Sequence, residues 1–265
     1  MILFIFEGKR TEPNLFKTIE KLYFQNRDER KVYCFGYNIY ELYKLMNESD
    51  FTENLITVIR SKMATRNDHS IPDDVDTSDF SEIFLFFDYD FQNKNLPLPE
   101  LNKQLEVMLD FFSDETENGK LYINYPMVES IRCTNELPDS EFINYKATRS
   151  ECSDFKKYST SAYPFYKSTD FFLLPLDGKT KELRKPIKPE KNKLVKKNWE
   201  LLKEQHVKKA NYICNDINDY PNNKISVSQE KILKSQLEKH IHPHNEVSIL
   251  NAFPLFLFEY FRHSN

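Results

Sequence analysis

Three acidic residues follow two short apolar runs in this chain, and their type and spacing make them the side chains best suited to chemistry. Glu7 closes the run ILFIF, and Asp88 and Asp90 close the run IFLFF in the segment FLFFDYD. In extended chain, residues i and i+2 point to the same side, so the spacing predicts paired carboxylates from Asp88 and Asp90 with Tyr89 turned away. Carboxylates held close repel each other and raise a pKa unless a cation intervenes. Hard oxygen donors of this kind suit Mg²⁺ or Mn²⁺. Glu12, five residues after Glu7, and Glu129, after a later apolar run, extend the acidic set. Glu12 equally suits the first turn of a helix, where it complements the dipole, and Glu129 equally suits a plain surface position.

Such acids need a scaffold that brings distant stretches together. Residues 2–6 and 83–87 are unbroken apolar runs, as expected of central strands covered on both faces. Shorter strands are predicted at 31–36 and 121–125, the last closed by Pro126. Thr11 or Glu12 is expected to cap a helix that runs, with Pro13 in its first turn, to about Gln25; further helices are predicted over 39–46 and 97–112, and residues 65–81 read as a loop. The alternation β-α-β-α-β-α-β implies a parallel sheet with helices on both faces, whose ligand edge lies at the carboxyl ends of the strands. Beyond about residue 135 the pattern becomes mainly helical, with helices expected at 191–210, 228–240 and 247–262 and a bend or break at Pro254.

Composition removes several alternatives. The 265 residues contain four glycines, Gly8, Gly36, Gly119 and Gly178, too far apart for a dinucleotide-binding or Walker phosphate loop or for a G-x-S-x-G nucleophile elbow. Four dispersed cysteines form no C-x-x-C pair, which argues against a zinc knuckle or a secreted disulfide framework. No apolar run reaches the roughly 20 residues a bilayer span requires, and a cytoplasmic chain making no membrane contact is expected.

The segment IFEGKRTEPNLF, the segment FLFFDYD and the β/α order between them resemble a Toprim domain, the catalytic module of topoisomerases, primases and several nucleases. The likeness covers roughly residues 1–130, and its E-G-x-x-T-E form followed by P-N-x-F is similar to the nuclease branch, particularly RloB-like proteins and the overcoming-lysogenisation-defect nucleases of phage defence. The pattern and charge of 136–265 read as a mainly helical, basic region, and the resemblance implies a Toprim-like catalytic domain over 1–135. It implies that Glu7, Asp88 and Asp90 are catalytic and bind Mg²⁺ or Mn²⁺, with Glu12 and Glu129 as further metal ligands. It also implies a nuclease of phage defence with a separately encoded ATPase as controlling partner, because the chain carries no ATPase domain of its own; an oligomer is compatible with the sequence.

Charge points to the same substrate class. Residues 1–150 carry 17 Lys and Arg against 27 Asp and Glu, whereas residues 151–265 carry 20 against 14. Between Lys179 and Lys209 twelve basic residues meet four glutamates, with Trp199 among them, a pattern suited either to a phosphate backbone or to a solvated helix face. Lys9, Arg10, Arg184, Lys185, Lys188, Lys193, Lys196 and Lys197 are the residues expected to hold DNA or RNA. A competing reading is a non-catalytic sensor that binds nucleic acid or a partner and uses the acids structurally. The alternating His240, His242 and His244 read as an exposed turn around Pro243 rather than a zinc site, and LNAFPLFLFEYF reads as a core helix.

Overall fold

A computed structural model describes residues 1–24, 29–167 and 189–261. Strands β1 (Ile2–Phe6), β2 (Arg30–Cys34), β3 (Glu82–Asp88), β4 (Ser113–Asp114) and β5 (Gly119–Asn124) form one sheet in the order β2-β1-β3-β5-β4. The first three and β5 are mutually parallel; the two-residue β4 runs antiparallel at the edge. Between them lie helices α1 (Thr11–Tyr23), α2 (Ile39–Glu48), α3 (Leu55–Ala64) and α4 (Leu98–Phe111). The rest of the described chain adds β6 (Lys146–Thr148), α5 (Arg149–Cys152), α6 (Phe155–Ala162), α7 (Pro189–Asn215), α8 (Gln229–Gln236), α9 (His242–His244), β7 (Glu246–Ser248) and α10 (Ala252–Tyr260).

Alternation along the strands divides the interior in two. Leu3, Ile5, Leu85, Phe87, Leu121 and Ile123 pack with the apolar sides of α2, α3, α4 and α8. Phe4, Phe6, Phe84, Phe86 and Tyr122 face the other way, onto Phe16 of α1, Trp199 of α7, and Phe253 and Phe256 of α10. The second layer is mostly aromatic: Phe86 stacks on Phe253 with ring centroids 4.7 Å apart, and Phe84 meets Phe256 edge-on at 5.1 Å. Backbone bonds between Tyr125 and Leu250 tie the chain past β5 to the segment entering α10. Among the described residues no helix is long and apolar enough to cross a membrane.

Several expectations require correction. The helix α3, capped by the Asn54 side chain on the N–H groups of Ile56 and Thr57, was not anticipated. The loop that follows it contains a short 3-10 turn at Thr77–Asp79. Neither Thr11 nor Glu12 caps α1; Arg10 holds that position without a side-chain bond, and the carboxylate of Glu12 is engaged elsewhere. The expected single helix over 247–262 is instead β7, paired with β6, followed by α10. Pro254 lies in the first turn of α10, where no intrahelical N–H is required, so it neither bends nor breaks the helix. The histidine segment is helical rather than a turn: His240 is in a π-helical stretch, Leu237–Ile241, and His242 and His244 are exposed on α9.

Candidate metal centre

The strand order fixes where a site can form. From β1 the chain passes to β2 on one side, then crosses over to β3 on the other, so the gap at the carboxyl ends of β1 and β3 is a topological switch point. Glu7 follows the last residue of β1, and Asp88 is the last residue of β3. The backbone N–H of Asp88 donates to Glu7 Oε2 at 3.0 Å, and the N–H of Glu7 donates to the carbonyl of Phe86 at 3.1 Å. One carboxylate oxygen from each of Glu7, Asp88 and Asp90 lies within 4.8 Å of the others.

Asp90 reaches this cluster by a route different from the one its spacing predicts. The strand stops at Asp88, and Asp90 adopts a left-handed conformation with φ 51°, which aspartate tolerates better than most residues. Tyr89 does turn away into the core, where its hydroxyl donates to Asn102 Oδ1 at 2.6 Å. The turn is held from several directions. The Tyr40 hydroxyl donates to the Tyr89 carbonyl at 2.7 Å, the Asp90 N–H donates to the Pro126 carbonyl at 3.1 Å, and Arg149 donates to the carbonyls of Phe91 and Asn93 at 2.9 and 2.5 Å. The side chains of Gln92 and Asn38 hydrogen-bond the Asp90 carboxylate.

The electrostatics are those of a site lacking positive charge. Burial, then the charge of Asp90, pushes Glu7 well above the ordinary carboxylate range, against the opposing hydrogen bond from Asp88. Asp88 is pushed well up by burial first, and then by the charges of Glu7, Glu12, Asp90 and Glu129. Asp90 is raised by burial, with its bonds to Gln92 and Asn38 opposing. A hard divalent cation would supply the missing charge, and an all-oxygen donor set is of the kind Mg²⁺ or Mn²⁺ takes.

The two outer acids sit differently. Glu12 is 4% exposed and accepts a hydrogen bond from the Gly8 N–H at 2.8 Å; burial raises its pKa. A Cβ at Gly8 would come within 2.6 Å of Glu12 Oε2, so glycine is what permits this close approach. Glu129, far from being a surface acid, is 6% exposed, with Oε1 3.9 Å from Arg132 Nη2. The close set comprises Glu7, Asp88 and Asp90 and brings in neither Glu12 nor Glu129, although both act on Asp88 through their charge.

Asn124 is a residue beside the carboxylates that sequence reasoning missed. It pairs in register with Asp88 at the end of β5, donates to Asp88 Oδ1 at 3.0 Å, and accepts from the Ala252 N–H at 3.0 Å. A polar residue ending an apolar strand, the same signal that marks Glu7, would have found it. Asn38 carries a helix-cap signal, and its Oδ1 accepts from the Glu41 N–H at 3.0 Å.

The expected nucleic-acid residues are dispersed. Lys9 and Arg10 are exposed directly after Glu7 and Gly8, with Lys9 Nζ 2.5 Å from Asp68 Oδ2. Lys193, Lys196 and Lys197 are exposed on α7, whereas Arg184, Lys185 and Lys188 lie outside the described residues. The basic run is not one continuous surface. Trp199 is fully buried, and Lys209 is buried with its ammonium donating to the carbonyls of Phe142 and Tyr145 at 2.8 and 2.6 Å.

Fold and site together define an α/β protein with a carboxylate cluster at the switch point of a mostly parallel sheet. Comparison with family models, curated proteins and solved structures found no match.

Proposed function

We propose that this protein is a Mg²⁺- or Mn²⁺-dependent nuclease with a Toprim-like fold that hydrolyses phosphodiester bonds of DNA or RNA. The observation that carries the reading is the convergence of Glu7, Asp88 and Asp90, from strands far apart in sequence, to within 4.8 Å at the switch point. These three would hold the cation. When bound, it would act as a Lewis acid that stabilises charge developing on the phosphoryl group.

The chain's own contribution is positioning and charge. Asp88, buried and braced by Asn124, fixes the floor of the site, while Glu7 and Asp90 remain half-buried and closer to an approaching substrate. As an alternative to ligating the cation, Glu7 is the candidate to accept a proton from an attacking water. Glu12 supplies further negative charge behind the cluster. The resemblance to phage-defence nucleases adds a separately encoded ATPase as the expected controlling partner.

The test is cleavage of single- and double-stranded DNA and RNA by the purified chain in Mg²⁺ or Mn²⁺, alone and with cellular partners, beside Asp88→Ala. Metal-dependent cleavage that disappears in Asp88→Ala supports the proposal. Cleavage that persists unchanged in the variant removes it, and nucleic-acid binding without metal binding would favour a sensor.

A further inference from the structure

One exposed cation near the end of β2 is held in place by the fold rather than by an acid. Arg66 lies just past α3, in the segment after Thr65, and is exposed. Its guanidinium carbon sits 3.5 Å from the centroid of the Tyr37 ring, and its Nη1 donates to the Gly36 carbonyl at 2.8 Å. Among the described residues no carboxylate is in ion-pair distance of it, in contrast to Lys62, which shares the Tyr37 ring but pairs with Glu41, and to Lys9, which pairs with Asp68.

Its location relative to the acids follows from the backbone. The Gly36 N–H donates to the Glu7 carbonyl at 2.8 Å, so the residue whose carbonyl anchors Arg66 is itself hydrogen-bonded to the backbone of a residue that supplies a carboxylate of the candidate centre. Gly36 has φ 76°, and a Cβ there would lie 3.3 Å from Lys9 Cε and 3.6 Å from Arg66 Nη1. Lys9 and Arg66 therefore flank one glycine at the end of β2. A flexible surface arginine loses side-chain entropy when it binds a ligand. Stacking on Tyr37 and bonding to Gly36 have already restricted this one, leaving the other guanidinium N–H groups for an anion that offers two oxygens, as a phosphodiester does.

We infer that Arg66, held on Tyr37 and Gly36, is a positioning residue that grips a backbone phosphate of the nucleic acid next to the bond presented to Glu7, Asp88 and Asp90. The inference rests on the nuclease reading for the identity of that bond. The grip itself requires only a polyanionic phosphate backbone. Arg66 neither touches the reacting atoms nor contributes to the carboxylate cluster. Its predicted mark is on affinity and KM more than on kcat, and on salt dependence, because each neutralised phosphate releases counterion.

The experiment measures anisotropy of a labelled single-stranded DNA and an RNA of the same sequence across a salt series in Ca²⁺, with Mn²⁺ calorimetry on the same proteins. Arg66→Ala should weaken oligonucleotide binding about 5–10-fold and reduce the salt slope by about one, leaving Mn²⁺ binding intact. Arg66→Lys should recover the slope but only part of the affinity, and Tyr37→Ala should lose affinity with the charge retained. Equal affinity and slope in wild type and Arg66→Ala overturn the inference, as does a wild type that binds neither oligonucleotide. If Arg66→Ala weakens binding in a protein that takes up no Mn²⁺, the phosphate grip stands and the hydrolytic reading falls. If Mn²⁺ binds and Arg66 has no effect, the reverse holds.

Discussion

Glu7 Oε2 accepts the backbone N–H of Asp88 at 3.0 Å, a bond between residues 81 apart that fastens one acidic strand end to the other. The bond orients Glu7 without neutralising its neighbours. The cluster is therefore rigid and short of positive charge before any ion arrives, and this condition yields the first expectation.

Asp88→Asn should lower Mn²⁺ affinity by an order of magnitude or more while stabilising the cation-free fold, because it removes a buried like charge yet keeps the shape. A gain on the order of 1–3 kcal/mol near neutral pH is expected. Calorimetry and chelator-treated thermal melts read the two effects separately; a variant that binds Mn²⁺ as tightly as wild type contradicts the assignment of Asp88 as a ligand.

The same charges set a pH dependence. Glu7 and Asp88 have raised folded-state pKa values, so the folded protein retains protons that the unfolded chain releases above about 3.8 for aspartate and 4.5 for glutamate. Their stabilising contribution is complete below those values and is lost as pH rises through the folded values. Buried His206 and Lys209, whose pKa values burial lowers, act with the opposite sign. The informative quantity is thus the difference between wild type and Asp88→Asn. In chelator, wild type should lose melting temperature relative to the variant as pH rises from the ordinary carboxylate range through the raised folded-state values, and Mn²⁺ should close the gap at the high-pH end. Parallel curves would show that Asp88 carries no such linkage.

Asn124→Ala should destabilise the fold by about 1–3 kcal/mol, since it leaves a bond to Asp88 and a bond from Ala252 unmade in a buried setting. It should also weaken Mn²⁺ binding through misplacement of Asp88. Denaturant unfolding beside calorimetry checks both, and full metal affinity in a destabilised Asn124→Ala would confine this residue to folding.

Gly8→Ala should displace the Glu12 carboxylate, since the new Cβ would approach Glu12 Oε2 to 2.6 Å and disturb the bond from the Gly8 N–H. A loss of about 1–2 kcal/mol is expected, and it should shrink when Glu12→Ala is already present. Additive losses in the double variant would mean that the two residues do not couple.

The strand ends bearing Glu7 and Asp88 were legible because five apolar residues in succession mark a strand covered on both faces, and an abrupt acid marks its exit. The position of Asp90 was legible, but its path was not: pleat alternation suggested paired side chains, whereas the left-handed turn depends on Tyr40, Pro126 and Arg149, brought there by tertiary contacts. Val247 and its neighbours shared the apolar density of the last helix, and only their pairing with residues 146–148 distinguishes strand from helix. Arg66 gave no periodic signal; its significance comes from the Tyr37 ring beneath it.

Synthesis imposes an order on the aromatic layer. Phe4, Phe6, Phe84 and Phe86 leave the ribosome well before Phe253 and Phe256, the rings that finally shield them. Until those arrive, a greasy sheet face is open to chaperones and to self-association. Asn124 likewise waits for the Ala252 amide. The nascent chain thus braces Asn124, and through it Asp88, only once the segment entering α10 has been made.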